Sequence, residues 1–276
     1  MLNFYTQKNF CEWIKMRGKE LRLRRIMENN RSVIIPMDHG VTNGPIKGLE
    51  NIRGMVELVS KGGATAVLLH KGIIKQLEKA PNCGLIMHIS GSTALGPDPN
   101  WKVIVGTVEE AVKLGVDAVS IHINIGSERE PEMLRDLGQI STECEDWQMP
   151  LIAMMYPRGK NIDAFDPKVI AHASRIGAEL GADIIKTPFT GKVDTFSKVV
   201  EGCPVPIIIA GGPKTETDRE ALQMVKDSME AGAIGVAMGR NAFQHPNPTA
   251  FVRAVSEIVK KGISVEEALE LLGSKG

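Results

Sequence analysis

The chain has 276 residues, and its 33 basic and 33 acidic side chains give a formal net charge of zero at pH 7. This balance excludes a strong general attraction to nucleic acid or to an anionic membrane surface, so recognition should depend on a local site. Hydrophobic residues make up 43% of the chain, enough for a sizeable core.

Compartment and membrane signals are weak. The four cysteines are scattered and form no CxxC pair, which favours a reducing environment. The first residues lack the pattern of a signal peptide, and no apolar stretch approaches the roughly 18 residues of a membrane span. We therefore expect a cytoplasmic protein.

Short β-branched runs alternate with amphipathic stretches along the whole chain. An N-terminal helix is predicted within residues 3–28. Strands are predicted over residues 32–37, 64–69, 85–89, 118–123, 150–156, 183–187, 206–210 and 234–238. Helices are predicted over residues 51–61, 108–114, 131–147, 167–180, 194–200, 218–231 and 265–272, the last with Ser264 as its N-cap.

Strands that alternate with helices indicate βα units and a parallel sheet. Glycines at the ends of five of the helices fit left-handed C-caps, at positions 63, 115, 181, 202 and 232. Eight units predict an α/β fold of the (β/α)8 TIM-barrel type. We expect one domain over residues 1–276, with residues 1–28 as a helical extension. An open doubly wound sheet is the alternative, but no GxGxxG follows the first strand.

Polar residues concentrate where the predicted strands end. In a barrel, these ends form the mouth where active sites lie. Side chains alternate between the two faces of a strand, and this alternation predicts that Asp38, His122, Tyr156 and Lys186 line the mouth.

Lys186 ends a short apolar strand, where burial disfavours the charged form of an amine. A neutral amine attacks carbonyl carbons to form a Schiff base. Tyr156 and Asp38 are candidates for the proton donor and the base that such chemistry needs. Alternatively, Lys186 extends to water or pairs with Asp183. Lys71 is a rival nucleophile, as is Lys214, but both lie beyond their strands.

The last two strand ends predict an anion site. Gly211 and Gly212 follow the seventh strand, and Gly239 and Arg240 follow the eighth. Loops at these places in a barrel often bind phosphate through backbone N–H groups. This pattern predicts a phosphorylated substrate.

Two other function classes stay open at this stage. His70, His88 and His122 near adjacent strand ends could bind zinc in a barrel hydrolase, but no HxH pair occurs, so structural or substrate-contacting roles are favoured. A non-catalytic sugar-phosphate binding protein would also use the anion site. We expect no metal and no cofactor.

Several segments together resemble the archaeal-type class I aldolase family, also called the DhnA or DeoC/FbaB group. They are residues 35–45, 153–159, 185–187, 210–213 and 238–241. The resemblance extends from about Arg25 onward. It implies a (β/α)8 barrel, a Schiff-base mechanism and a homo-oligomer, often a decamer.

The resemblance also implies roles for individual residues. Lys186 corresponds to the Schiff-base lysine, Tyr156 to the acid–base tyrosine and Asp38 to the acid–base aspartate. The implied substrate contacts are His39, Gly40, Val41, Thr42, His122, Pro157, Arg158, Gly211, Gly212, Gly239 and Arg240.

Within this family, the chain is most similar to members that condense L-aspartate semialdehyde with a phosphorylated ketose, 6-deoxy-5-ketofructose 1-phosphate, on a route to 3-dehydroquinate and aromatic amino acids. A sister activity uses dihydroxyacetone phosphate instead. Fructose-bisphosphate aldolases of the family tend to carry tryptophan where this chain has Met154, and no carboxylate follows Lys186 until Asp194. Both departures disfavour ordinary fructose-bisphosphate cleavage.

Overall fold

The computed structural model describes residues 17–273. Of the predicted N-terminal helix, only the part from residue 17 onward lies within these residues, and the rest falls outside them. The strands are β1 (Ser32–Pro36), β2 (Ala66–His70), β3 (Gly84–His88), β4 (Ser90–Gly91), β5 (Val103–Ile104), β6 (Ala118–Ile125), β7 (Leu151–Pro157), β8 (Ile184–Pro188), β9 (Ile207–Ala210) and β10 (Gly235–Ala237).

Helices cover most of the sequence between the strands. They are α1 (Arg17–Ile26), α2 (His39–Asn43), α3 (Ile52–Lys61), α4 (Lys71–Ile74), α5 (Val108–Lys113), α6 (Glu130–Asp146), α7 (Pro167–Glu179), α8 (Val193–Glu201), α9 (Asp218–Glu230), α10 (Arg240–Phe243), α11 (Pro248–Lys261) and α12 (Val265–Gly273).

Eight of the strands close into a parallel barrel in the order β1, β10, β9, β8, β7, β6, β3, β2. The predicted TIM barrel is therefore confirmed, and the open-sheet alternative is wrong. The register pairs Met154 on β7 with Lys186 on β8, and Asn124 on β6 with Tyr156 on β7. These pairings bring the polar ends of adjacent strands to the same rim.

The barrel interior is filled by one face of each strand. An apolar cluster there includes Ile34, Ala66, Leu68, Ile86, Ala118, Ile152, Met154, Ile184, Ile208 and Ala237. Tyr156 packs against this cluster. Because alternate residues share a face, Asp38, His122 and Lys186 continue the same inward rows toward the mouth. The outward rows pack against the helices in a second, larger cluster.

Helix α1 closes the opposite end of the barrel. Its Leu23 and Ile26 join the interior cluster. Lys19 Nζ is bonded to Asp183 at 3.1 Å, and Arg25 Nε donates to Asp117 at 2.7 Å. Both carboxylates also accept a backbone N–H at the start of a neighbouring strand. These bonds explain why Gly-x-Asp recurs at positions 115–117 and 181–183.

Four of the five glycines predicted as left-handed C-caps have positive φ, namely Gly63, Gly115, Gly181 and Gly232. The prediction is wrong for Gly202, which has φ −80° and continues the right-handed turn of α8. The cap predicted at Ser264 is present, since Glu267 N donates to Ser264 Oγ at 3.2 Å and Ser264 N donates back to Glu267 Oε2 at 2.8 Å.

Some elements carried no clear sequence signal. A hairpin of β4 and β5, each of two residues, leaves the barrel between β3 and α5. The second βα unit has only the single turn α4. Helix α11 is not among the helices predicted from the sequence, although it packs on α3, α9 and α12. Among residues 17–273, no helix is long and apolar enough to cross a membrane.

Candidate active site

Lys186 lies on β8 inside the barrel mouth, with 6% of its surface exposed. Its Nζ lies 3.9 Å from Met154 Sδ. Pairing with Asp183, considered from the sequence, does not occur, because that carboxylate is bonded to Lys19 at the other end of the barrel. Among residues 17–273, no carboxylate oxygen lies within 4 Å of this amine, which faces the mouth.

Asp38 follows β1 and lies close enough to Lys186 for their charges to interact. Burial by itself raises the pKa of this carboxyl, but the positive charges that His88, His39 and Lys186 can carry outweigh burial and hold the pKa well below its usual range. Asp38 is therefore an ionised acceptor at neutral pH.

Histidines surround this carboxylate. His39 Nδ1 lies 3.6 Å from Asp38 Oδ1, and His88 Nε2 lies 3.8 Å from Asp38 Oδ2. Burial lowers the pKa of His88 to about 3 and also lowers the pKa values of His39 and His70. These imidazoles are therefore neutral at physiological pH and can exchange hydrogen bonds without adding charge.

A polar network behind these groups fixes their orientation. His88 Nδ1 is 2.8 Å from Ser120 Oγ, and Ser90 Oγ accepts from the backbone N–H of His122 at 2.9 Å. His122 Nε2 is 2.9 Å from Asn124 Oδ1. Burial lowers the pKa of His122 well below its usual value, and nearby cations add to this effect.

Tyr156 is half-buried on β7 and packs on His122 with ring centroids 4.8 Å apart. The guanidinium of Arg158 also lies over the phenol ring, 5.0 Å from its centroid. Pro157, between them, is buried and ends the strand. Two flat groups thus hold the phenol in place beside the strand that carries Lys186.

The other predicted contacts after β1 form the short helix α2. His39 packs edge-on against Phe243, and Thr42 O accepts from Ala94 N at 2.9 Å. Gly40 and Val41 line a cavity of about 710 Å³ that also reaches Asp38. The β1 loop therefore borders an open space next to the carboxylate.

The predicted anion site lies after β9 and β10. Arg240 Nη2 donates to Gly212 O at 3.0 Å, while Arg240 Nε is buried without a partner among the described residues. Gly239 is required by close packing, because a Cβ there would lie 2.8 Å from Pro36 O. The backbone N–H of Gly211, predicted to contact a phosphate, instead donates to Ala237 O at 3.1 Å. Gly211 therefore supports this turn, and Gly212 and Arg240 face its open side.

The rival nucleophiles have ordinary surroundings. Lys71 Nζ pairs with Glu110 Oε2 at 2.8 Å and is half-exposed. Lys214 is exposed and donates to Gln244 O at 3.3 Å. Lys186 differs from both because it is buried inside the barrel.

The three histidines considered as zinc ligands do not converge on one point. His70 and His88 pack edge to face with centroids 5.2 Å apart, whereas His122 packs on Tyr156. Within residues 17–273, no group of three or more His, Cys, Asp or Glu side chains is arranged to hold a metal ion.

Lys102 and Ser92, on the segment that carries β4 and β5, also reach the mouth. No sequence pattern predicts a role for Lys102, which stands beside Trp101 away from the predicted strand ends. Its only signal was a charged residue directly before the apolar run at positions 103–105.

The chain is similar in sequence to known aldolases and to two named synthases. Residues 32–245 match the profile of the DeoC/LacD family aldolases. The chain is 46% identical, over 94% of its length and 97% of the relative's, to 2-amino-3,7-dideoxy-D-threo-hept-6-ulosonate synthase 1 of Archaeoglobus fulgidus. It is 38% identical, over 88% of its length and 90% of the relative's, to 2-amino-4,5-dihydroxy-6-oxo-7-(phosphonooxy)heptanoate synthase of Streptomyces griseus.

The fold is also similar to that of a solved aldolase structure. The chain is 34% identical to an archaeal fructose-1,6-bisphosphate aldolase whose catalytic lysine is covalently bound to the carbinolamine intermediate of the substrate. The TM-score is 0.81, and the match covers 88% of this chain and 99% of that one.

Proposed function

Since the chain belongs to the DeoC/LacD family of aldolases and is an aldolase itself, we propose that it is a Schiff-base transaldolase. Its substrates would be L-aspartate semialdehyde and a phosphorylated ketose, 6-deoxy-5-ketofructose 1-phosphate. The product would be 2-amino-3,7-dideoxy-D-threo-hept-6-ulosonate. The observation that carries this proposal is the buried amine of Lys186 at the barrel mouth, with Asp38 and Tyr156 on the same inward face.

The first half of the reaction forms and uses an iminium. The amine of Lys186 attacks the ketone carbon, the resulting carbinolamine loses water, and an iminium remains. A base removes the proton from the hydroxyl on the β carbon. The bond between the α and β carbons then breaks, an aldehyde leaves, and the bonding electron pair forms an enamine on the lysine. Because the product carries no phosphate, the reacting ketone is C5 of the ketose, and the phosphate leaves with the aldehyde.

The second half reverses these steps with a new aldehyde. The enamine carbon attacks the aldehyde carbon of the acceptor, and the alkoxide that forms takes up a proton. Water then hydrolyses the iminium, which releases the ketone product and regenerates the amine. The water lost and the proton removed in the first half are both returned, so the cycle is balanced.

Asp38 suits the role of base because it is ionised and lies on the same inward face as Lys186, next to His39 and His88, which can orient it. Tyr156 suits the role of proton donor because His122 and Arg158 hold its ring beside β8. General acid–base help of this kind typically accelerates a step by about 10²–10⁴ fold.

The anion site supports a phosphorylated donor. The unpartnered Nε of Arg240 is a buried donor that a phosphate oxygen would satisfy. The turn at Gly212 and the tight packing at Gly239 keep bulky side chains away from this space. Of the contacts that the sequence predicts, Gly212, Gly239 and Arg240 are therefore the residues we assign to phosphate.

A second donor is favoured by the same site. The Streptomyces griseus relative is named for a product with a phosphonooxy group on carbon 7, and a phosphate next to the reacting ketone fits the unpartnered arginine. Dihydroxyacetone phosphate is accordingly the alternative donor, with aspartate semialdehyde again as the acceptor.

Borohydride trapping tests the proposal. Incubation with 6-deoxy-5-ketofructose 1-phosphate and borohydride should add a donor-derived mass to the peptide that contains Lys186. Lys186→Met should abolish the adduct, whereas Lys71→Met, which removes a half-exposed paired amine, should retain it. Absence of an adduct on the wild type, together with loss of activity on treatment with a chelator, would contradict the Schiff-base mechanism.

A further inference from the structure

The segment between β3 and α5 lies across part of the barrel mouth. Hydrogen bonds to other elements hold it in place. Ala94 N donates to Thr42 O at 2.9 Å, Ser90 Oγ accepts from His122 N at 2.9 Å, and Asn124 Nδ2 donates to Asn100 O at 2.6 Å. This segment, residues 89–107, is therefore a fixed part of the site, and we call it the arm.

Lys102 is the charged residue that the arm brings to the mouth. Only 7% of its surface is exposed. Its Nζ donates to Ser92 Oγ, and that hydroxyl in turn donates to Pro99 O at 2.8 Å. Among residues 17–273, no Asp or Glu oxygen lies within 4 Å of this ammonium. A buried cation without a counterion is costly.

A second cation faces the same space. Arg158, stacked over Tyr156, is close enough to Lys102 to repel its charge. Burial lowers the pKa of Lys102, and Arg158 lowers it further, while Asp38 and Asp98 oppose these effects only in part. Within the described residues, Arg158 also has no carboxylate within 4 Å. A bound anion would remove the repulsion and supply the missing partner for both groups.

The position of this pair relative to Lys186 is informative. Lys186 is on β8, between β7 and β9 in the barrel. Gly212 and Arg240 follow β9 and β10 on one side of it. Arg158 follows β7 on the other side, next to the arm. The nucleophile thus lies between two cationic sites, as dihydroxyacetone phosphate, with its phosphate next to the reacting ketone, and an anionic acceptor aldehyde would require.

We propose that Lys102 and Arg158 form a second anion subsite, which binds the α-carboxylate of the acceptor aldehyde and makes Lys102 a specificity-determining residue. This inference rests on the proposed function for the identity of the acceptor. It is consistent with the two curated relatives, whose named products both carry an acid group and a 2-amino group at the end remote from the ketone. A phosphate on the acceptor would share this anion chemistry.

The test compares acceptors in Lys102→Met. The KM for L-aspartate semialdehyde should rise by about 10- to 100-fold, because a charge-assisted hydrogen bond is lost. Turnover of dihydroxyacetone phosphate with the uncharged acceptor propanal, and the borohydride adduct of that donor, should both stay unchanged. Lys102→Arg should recover most of the affinity. Lys160→Met, which removes an exposed lysine near the same rim, is the matched control.

A second variant distinguishes a loss of the subsite from a failure to fold. If Lys102→Met does not fold, Lys102→Gln retains a donor for Ser92 and should show the same change in KM. Equal losses with the semialdehyde and with propanal, or no change with either, would overturn the proposal.

If the wild type uses glyceraldehyde 3-phosphate and rejects the semialdehyde, the proposed function fails. An effect of Lys102→Met on that phosphorylated acceptor would still support the subsite. Calorimetry with L-homoserine, an unreactive reduced form of the semialdehyde, measures the affinity of the subsite without turnover. Wild type should bind it at least about tenfold more tightly than Lys102→Met does, and equal binding would contradict the subsite.

Discussion

The imidazoles around Asp38 share one feature, which is that burial keeps them neutral. His88 is neutral in the folded chain down to about pH 3, whereas an unfolded imidazole takes up a proton below its ordinary pKa of 6.5. Between these values the unfolded state binds more protons than the folded state. The free energy of unfolding must therefore fall as the pH falls through this window.

His88→Gln should weaken this pH dependence. Urea unfolding at pH values from about 6.5 down to 4 should show a slope that is smaller than that of the wild type, by at most about 1.4 kcal/mol per pH unit. His172→Gln removes an exposed histidine on α7 and should leave the slope unchanged. Identical slopes for His88→Gln and wild type would show that His88 is not held neutral.

Asp38 can be tested separately from imine formation. Asp38→Asn keeps the shape of the side chain but removes the base, so turnover should fall by about 10²–10⁴ fold. The borohydride adduct on Lys186 should still form, because the substitution changes neither the lysine nor the ketone. Asp146→Asn, at the exposed end of α6, is the control. Undiminished turnover in Asp38→Asn would remove the aspartate from the mechanism.

Some helices are stabilised by hydrogen bonds between residues that are close in sequence. Helix α9 begins with a capping box, in which Glu220 N donates to Thr217 Oγ1 at 3.2 Å and Thr217 N donates to Glu220 Oε2 at 3.1 Å. The arm is different, because β4 and β5 have two residues each. Its placement depends on bonds to Thr42, His122 and Asn124, which are distant in sequence.

Thr217→Ala should lower the free energy of unfolding by about 1 kcal/mol, since an N-cap acceptor is lost. Thr142→Ala is the matched control, because Thr142 is exposed within α6 and its hydroxyl donates to Gly138 O, not to a helix N-terminus. Alanine is the better helix former, so this control should be neutral or slightly stabilising. Chemical denaturation of both variants measures the difference, and equal values would show that the cap does not contribute.

For the whole molecule, the closure of the barrel by α1 is the main long-range feature. Lys19 is 2% exposed and bridges Asp183 and Glu145, so it joins α1 to the seam between β7 and β8. Removal of one partner from a buried ion pair leaves the other charge without compensation.

Lys19→Met should therefore destabilise the protein by about 3–5 kcal/mol. Arg24→Met, on the same helix, removes an exposed ion pair with Glu20 and should cost less than about 1 kcal/mol. Thermal and denaturant unfolding of both variants compare the two costs. A similar small effect for both would mean that α1 does not depend on the buried pair.

Much of the fold could be predicted because its signals are local. The alternation of apolar runs with amphipathic stretches specifies βα units, and eight of them close a barrel. Alternation within each strand then brings Asp38, Tyr156, His122 and Lys186 to one face, and the register of β6, β7 and β8 agrees. The roles of these residues stay predictions until they are tested.

Other features were decided by tertiary structure alone. Lys102 reaches the mouth because the arm is bonded to α2, which follows β1, and to the end of β6. Asp183 meets Lys19 instead of Lys186 because the two ends of β8 face opposite ends of the barrel. The N–H of Gly211 is used by Ala237 on the neighbouring strand. The sequence by itself determined the periodic elements and the chemistry at their ends, since both depend on adjacent residues. Only the closed barrel decided which groups distant in sequence share hydrogen bonds and charge, because those contacts exist only after the strands have paired.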